Sequence, residues 1–244
     1  MADGGPLAHP LFGLPLPTLW FGVVFFILAT FLFLDGFDFG VGAVFATRSD
    51  AHERETLLAA IGPFWDGNEV WLVVFGGALF AVYPPVYAGL FSRHYLLAFG
   101  ILAALLARGL APELYEQRED DRWRRWWGRA FVTGSVAAPL LLGCFVGNWL
   151  VGATGRLTLA GSLLGVTLLA LAVVDGVAFL RLKTRGDLRT DLRSTGLAAL
   201  AAYLLSVATT LGTVAATTSR GTAIAAPTVA GLAAATLVLA AVQA

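Results

Sequence analysis

The sequence predicts an all-α membrane protein, a polytopic bundle of about seven transmembrane helices. Its 244 residues have a mean hydropathy of +0.78, and 58% of them are hydrophobic. Only 13% are charged, against about 25% in typical soluble domains. Seven segments approach the roughly 20 apolar residues that a membrane helix needs. The 16 basic and 16 acidic residues balance, so no broad positive field favours binding to nucleic acid.

The seven segments follow one another along the chain, joined by polar links. They run over Leu19–Phe45, Val70–Ala88, Tyr95–Leu110, Phe131–Val151, Leu157–Leu182, Thr195–Thr217 and Ala223–Val242. This order divides the chain into an extracytoplasmic segment (1–18), a four-helix half (19–151) and a three-helix second half (152–244). Pro84 and Pro85 interrupt the second segment near its end.

The basic residues predict how the bundle is oriented. Thirteen of the 16 lie in the links after spans one, three and five, with Arg108–Arg129 as the largest group. Cytoplasmic links carry an excess of Lys and Arg. The sequence therefore predicts an extracytoplasmic N-terminus, a cytoplasmic C-terminus and a location in the plasma membrane of a prokaryote.

Two short passages of the sequence resemble each other. Leu34-Asp35-Gly36 and Val174-Asp175-Gly176 are each followed by aromatic and small residues and then by a charged link. The offset spans four helices, so both copies would cross the membrane in the same direction. The match fits two parallel pseudo-repeats, although a similarity this short also arises without a duplication.

Acidic residues occur where lipid-facing helices should be apolar. Charges at the centre of a span cost roughly 2.5–3.5 kcal/mol on insertion scales. Asp35 and Asp38 are three residues apart and should share one helix face, and Asp66 and Glu69 repeat that spacing on either side of Asn68. The predicted orientation puts all four carboxylates, with Asp175, in the cytoplasmic half of the membrane.

The acidic residues and Asn68 have two interpretations. Carboxylates held in a region of low dielectric constant can exchange protons near neutral pH, which makes the group a candidate proton-uptake route from the cytoplasm. The alternative is that these residues cap helices or pair with nearby arginines, and for Asp175 this structural reading is favoured. Gly36 and Gly40 are predicted to be packing sites, because small residues let helices approach closely in lipid.

Ligands for a haem or a metal ion are scarce. The histidines are His9, His52 and His94, Met1 is the only methionine, and Cys144 is the only cysteine. None of the histidines lies deep in a span with a facing partner, so an internal haem with two axial ligands from this chain is not expected. No metal site is predicted, and no phosphate-binding glycine loop of the Walker type is present.

Two motifs in the first half carry a family resemblance. The segment 34–42, Leu-Asp-Gly-Phe-Asp-Phe-Gly-Val-Gly, resembles the N-terminal signature of subunit II of cytochrome bd-type quinol oxidases. The segment 62–72, Gly-Pro-Phe-Trp-Asp-Gly-Asn-Glu-Val-Trp-Leu, is similar to the second and more specific signature of that family. Arg108, Trp127 and Asn148 continue the pattern, which covers about residues 19–195.

The resemblance implies a membrane subunit that works inside an oxidase. Such a subunit binds no cofactor alone and pairs with a larger subunit I that carries haem b and haem d. The complex takes quinol from the membrane quinone pool, reduces dioxygen to water and draws protons from the cytoplasm. The residue of the family motif thought to lie on the proton route is Asp66 here. Trp65, Arg108 and Asp175 are expected at structural or interface positions.

The chain departs from the family pattern in its second half. Family members have about eight helices, and residues 196–244 carry no family motif. Two other classes of membrane protein therefore stay open. One is a proton-coupled secondary transporter, which also uses repeats and intramembrane carboxylates; the other is a purely structural or assembly subunit.

Overall fold

The computed structural model describes residues 13–217 apart from 154 and 156, with side chains as far as residue 213. This part of the chain forms eight α-helices. They are α1 (Leu16–Phe45), α2 (Ala51–Ile61), α3 (Trp65–Val82), α4 (Pro84–Arg93), α5 (Tyr95–Glu116), α6 (Asp121–Leu150), α7 (Leu159–Lys183) and α8 (Gly186–Thr217). The all-helical prediction is confirmed for these residues.

Five of these helices are long and apolar enough to cross a membrane: α1, α5, α6, α7 and α8. The predicted second span is not one helix, because the chain breaks at Tyr83 and Pro84 starts the short helix α4. Helix α3 falls outside the set of five because its first turns carry Asp66, Asn68 and Glu69. The predicted seventh span, Ala223–Val242, lies outside the described residues.

Polar side chains define where several helices begin. The Asp50 carboxylate accepts a hydrogen bond from the Glu53 amide at the start of α2, at 2.9 Å. The Asp120 carboxylate accepts one from the Trp123 amide at the start of α6, also at 2.9 Å. Each cap satisfies an amide that the first helical turn would leave without a partner. Asp50 and Asp120 therefore fix where α2 and α6 begin.

Helices α1, α6 and α7 form the centre of the bundle. Helix α5 packs on α6, α8 on α7, and α3 on α1. The buried apolar side chains form two clusters at different levels of the bundle: one contains Phe31, Leu97 and Phe145, and the other contains Phe45 and Phe131. The second cluster lies at the end where the basic links meet.

Glycines set the spacing between the central helices. A Cβ atom on Gly40 of α1 would lie 1.9 Å from the Ala172 carbonyl oxygen of α7, and one on Gly176 would lie 2.5 Å from the Gly40 carbonyl carbon. The two Asp-Gly passages that resemble each other in sequence therefore lie on adjacent helices. On α6, a Cβ on Gly143 would lie 2.3 Å from the Gly165 Cα of α7.

Substituting alanine at Gly40 is therefore expected to push α1 and α7 apart. Overpacking of this kind costs about 1–3 kcal/mol. Gly22→Ala is the matched control, because it lies on the same helix and a Cβ there has no neighbour within 4 Å. We expect thermal unfolding of the purified protein to shift downward for Gly40→Ala only. Equal midpoints for the two variants would contradict the close helix contact.

Candidate functional site: a buried arginine–carboxylate cluster

Arg108 of α5 is the centre of a buried charged site. Its side chain is only 2% exposed, and Nη2 lies 2.8 Å from Asp35 Oδ1 and 2.8 Å from Glu69 Oε2. Its Nη1 lies 3.8 Å from Asp38 Oδ2. The guanidinium carbon also lies 4.8 Å from the centre of the Phe39 ring, a distance at which a cation is attracted to an aromatic face. Three helices, α1, α3 and α5, thus meet at one guanidinium group.

The spacing of the acidic residues explains why they converge. Asp35 and Asp38 lie one turn apart on α1 and reach Arg108 from the same helix face, as their sequence spacing predicts. Asn68 of α3 is buried and donates a hydrogen bond from Nδ2 to Asp38 Oδ2, at 3.0 Å. We refer to Asp35, Asp38, Asn68, Glu69 and Arg108 as the Arg108 cluster.

Negative groups outnumber positive groups in the Arg108 cluster. Three carboxylates surround one guanidinium, and both Asp35 and Asp38 are fully buried. Asp35 Oδ2 and Asp38 Oδ1 accept no hydrogen bond within the described residues. A buried charge without full compensation is costly, so this arrangement is suited to binding and releasing protons. The Arg108 cluster lies between the two apolar clusters of the bundle. The buried side chains of Phe31 and Leu105, which belong to the first apolar cluster, separate it from solvent on one side.

Exposure rises from the Arg108 cluster towards the N-terminus of α3. The Glu69 side chain is 30% exposed, and Asp66, one turn earlier, is exposed. Asp66 forms no ion pair with any described residue, so it lies outside the cluster that its sequence spacing from Glu69 suggested. Trp65 lies against α5, where a Cβ on Gly109 would be 3.1 Å from Trp65 Cζ3.

The sequence predicts that Arg108 belongs to the basic link after span three. This prediction is wrong, because α5 continues to Glu116 and buries Arg108. The signal that could have identified it is a charge inside the apolar segment Tyr95–Leu110. Without Arg108, most of the basic residues still lie in the links that are predicted to be cytoplasmic.

Asp175 lies apart from the Arg108 cluster. It is partly buried on α7, and its Oδ2 would be 3.4 Å from a Cβ on Gly36 of α1. It forms no ion pair with a described residue. Gly36 and Gly40 both face α7. Gly36 and Gly40 therefore lie where α1 contacts α7, and Gly36 lies beside Asp175.

Two histidines, His52 and His94, lie among the described residues. No group of three or more His, Cys, Asp or Glu residues among them is arranged to hold a metal. His52 lies on α2, at the end of the bundle where the basic links meet. His94 lies at the other end, with its ring centre 6.0 Å from that of Phe145. These two histidines cannot ligate one haem together.

Comparisons of the sequence with known proteins all indicate the same family. Residues 16–244 match the sequence profile of the family described as cytochrome bd terminal oxidase subunit II. The cytochrome bd-I ubiquinol oxidase subunit 2 of Escherichia coli is 36% identical over 195 residues, which cover 72% of this chain and 51% of that protein.

Similarity to relatives from other bacteria covers the same share of this chain. The cytochrome bd ubiquinol oxidase subunit 2 of Bacillus subtilis is 36% identical over 190 residues, covering 72% of this chain and 56% of the relative. A probable cytochrome oxidase subunit 2 of Haemophilus influenzae is 34% identical over 193 residues, covering 72% and 51%. The chain thus spans about half the length of the curated relatives that it matches.

Proposed function

Because the chain belongs to the family of cytochrome bd terminal oxidase subunits II, we propose that it is the haem-free subunit of a membrane quinol oxidase. In this proposal it pairs with a subunit I that carries haem b and haem d. The complex transfers electrons from quinol to dioxygen and forms water. The chain contains no complete active site and supports the haem-bearing partner in the prokaryotic plasma membrane.

The proposed placement of haem in the partner is supported by the positions of the two histidines in the part of the chain that the structure describes. An axial pair of His/His or His/Met type needs two side chains facing one another across the haem. His52 lies on α2 at the end of the bundle where the basic links meet, and His94 lies near Phe145 at the other end. The two apolar clusters between them contain Phe131 and Phe145 of α6, which are about 21 Å apart at 1.5 Å per residue. In this proposal the chemistry at haem therefore belongs to the partner subunit.

The observation that carries the proposed role is the Arg108 cluster. Reduction of dioxygen to water consumes protons, and a buried site with more carboxylates than cations can pass them inward. We place the start of the route at exposed Asp66, continue it through half-exposed Glu69, and end it at buried Asp35 and Asp38. Asn68 positions Asp38 by its hydrogen bond. Asp175 is assigned a structural role beside Gly36.

The proposed orientation makes the cytoplasm the source of these protons. The links that carry most of the basic residues meet at the end of the bundle where α3 begins. Arg124 of α6 bonds Glu55 of α2 there at 2.9 Å, and Arg48 lies 4.0 Å from Asp191 of α8. The positive-inside rule assigns this end to the cytoplasm.

Purification tests the proposal against its alternatives. We expect the chain alone to show no haem absorption and to be unstable, because lipid covers its polar faces poorly. Co-expressed with its neighbouring subunit, it should yield a complex with haem absorption and quinol-dependent oxygen consumption. A stable chain that is free of haem in both preparations and moves a solute with protons would favour the transporter class. Haem and full turnover in a complex that lacks this chain would favour an assembly role.

A cysteine at Glu119 tests the orientation. Glu119 is exposed in the link between α5 and α6 and, unlike Asp120, does not cap α6. In a Cys144→Ser background, Glu119→Cys should resist an impermeant thiol reagent in intact cells and react after the cells are lysed. Rapid labelling in intact cells would reverse the orientation and the side from which protons are taken up.

A further inference from the structure

Three arginines and a tryptophan form an exposed stripe along the first turns of α6. Arg122, Arg125, Trp126 and Arg129 are all exposed, and Trp126 is 67% exposed. Their spacing of three, four and seven residues places them on one helix face. None of the three arginines forms an ion pair with a described residue. We call these four residues the arginine stripe.

The rest of this helix end is anchored to the bundle, which fixes the direction of the stripe. Trp123 Nε1 donates to the Leu114 carbonyl oxygen, and Arg124 Nη1 donates to Glu55 at 2.9 Å. Gly128 lies against Phe45, with 3.3 Å between its Cβ position and Phe45 Cε1. The stripe therefore points away from the protein.

Acidic residues border the stripe only at the N-terminal end of α6. Asp120 interacts electrostatically with Arg125 and caps α6 through the Trp123 amide, and Glu119 and Asp121 are exposed beside it. No Asp or Glu follows Asp121 along α6, so Arg129, about two turns further on, has no acidic neighbour on its own helix.

The length of α6 places the stripe at the level of lipid headgroups. Its 30 residues span about 45 Å at 1.5 Å per residue, whereas the hydrocarbon core is about 30 Å thick. The apolar part of the helix begins at Ala130, immediately after the last arginine of the stripe. On the same face, Thr133 and Val136 continue towards the membrane core. This order of charge, aromatic ring and apolar surface matches a membrane interface.

We propose that the arginine stripe binds the phosphate headgroups of anionic phospholipids. Guanidinium groups bind phosphate through paired hydrogen bonds, and basic residues just outside a span attract anionic lipid. Trp126 packs beside the headgroup and first acyl carbons. The lipid would fix the angle at which α6 leaves the membrane, next to the contact between α6 and α5.

A lipid titration of the purified protein, with any subunits that accompany it, tests this proposal. The delipidated protein in mild detergent is titrated with phosphatidylglycerol or phosphatidylcholine, and bound lipids are counted by native mass spectrometry. Replacing Arg122, Arg125 and Arg129 together with glutamine should weaken phosphatidylglycerol binding at least about tenfold. Binding of phosphatidylcholine should not change.

A second triple variant is the matched control. Arg185, Arg189 and Arg193, also exposed, lie near the start of α8 and alternate with Asp187 and Asp191. Their replacement by glutamine removes the same charge from the same end of the bundle and should change the affinity less than about threefold. Equal losses in both triples would mean that only overall charge matters and would overturn the proposal. So would an unchanged affinity in the stripe variant, or loss of a protein subunit from it without loss of lipid, since the stripe would then be a protein interface.

Discussion

Replacing Arg108 by methionine should destabilise the protein by about 3–5 kcal/mol, the range measured when one partner of a buried ion pair is removed. Methionine keeps much of the side-chain volume but leaves Asp35, Asp38 and Glu69 without a cation. Asp35 and Asp38 are fully buried, so water cannot compensate for the lost contacts. We expect little folded protein in the membrane, and no assembled complex, from this variant.

Arg124→Met is the matched control for this prediction. Arg124 also forms a 2.9 Å ion pair, with Glu55, but the two side chains are 26% and 50% exposed. Exposed pairs of this kind contribute about 0–1 kcal/mol, so the control should accumulate normally. The yield of folded protein after detergent extraction measures both variants.

A rescue variant separates lost charge balance from lost packing. Combining Arg108→Met with Asp35→Asn and Asp38→Asn removes the excess of buried negative charge. We expect part of the yield to return, because neutral polar groups cost less to bury than ions. An Arg108→Met protein as stable as Arg124→Met would show that the Arg108 cluster is not electrostatically coupled.

Part of the site could be predicted because it depends on local geometry. Residues three apart on a helix share a face, which correctly places Asp35 beside Asp38. Polar residues in otherwise apolar segments also placed Asn68 and Glu69 in the same hypothesis as Asp38. Asn68 contacts Asp38, and Glu69 contacts Arg108.

The other features of the site depend on which helices become neighbours. The periodicity of apolar residues in a sequence does not show this. The sequence groups Arg108 with the basic link although it lies inside the predicted span Tyr95–Leu110, and only the packing of α5 against α1 and α3 shows that it is buried. Asp66 is exposed in the first turn of α3, and its role with Glu69 on a proton route stays a prediction. The break at Tyr83, by contrast, has a local signal in the sequence, because Pro84 cannot donate a backbone hydrogen bond to the preceding turn.

In the proposed oxidase, removing the charge of Glu69 should reduce the activity of the complex at least tenfold, which corresponds to about 1.4 kcal/mol on the barrier. Glu69→Gln keeps the length and an oxygen that can accept a hydrogen bond from Arg108 Nη2, but it cannot carry a proton. Asp66→Asn should cause a similar loss, because the proposed route begins there. In both variants the complex should assemble with its haems. Asp66→Glu should retain more activity than Asp66→Asn.

Asp50→Asn is the control for both substitutions. Asp50 is an exposed carboxylate at the same end of the bundle, and it caps α2 through the Glu53 amide. Asparagine caps helices about as well as aspartate, so this variant should turn over normally. If Asp66 only stabilises the start of α3, Asp66→Asn should behave like Asp50→Asn.

A loss of activity would have a different meaning in Asp66→Asn and in Glu69→Gln. Glu69 bonds Arg108 directly, so loss of haem together with activity in Glu69→Gln would indicate a defect in assembly. Asp66 makes no ion pair with a described residue, so a proton-carrying role predicts that Asp66→Asn assembles normally, and loss of haem together with the complex would contradict that role. Oxygen consumption measured per assembled haem therefore isolates proton transfer, and normal turnover in both Asp66→Asn and Glu69→Gln would rule out the route from Asp66 through Glu69.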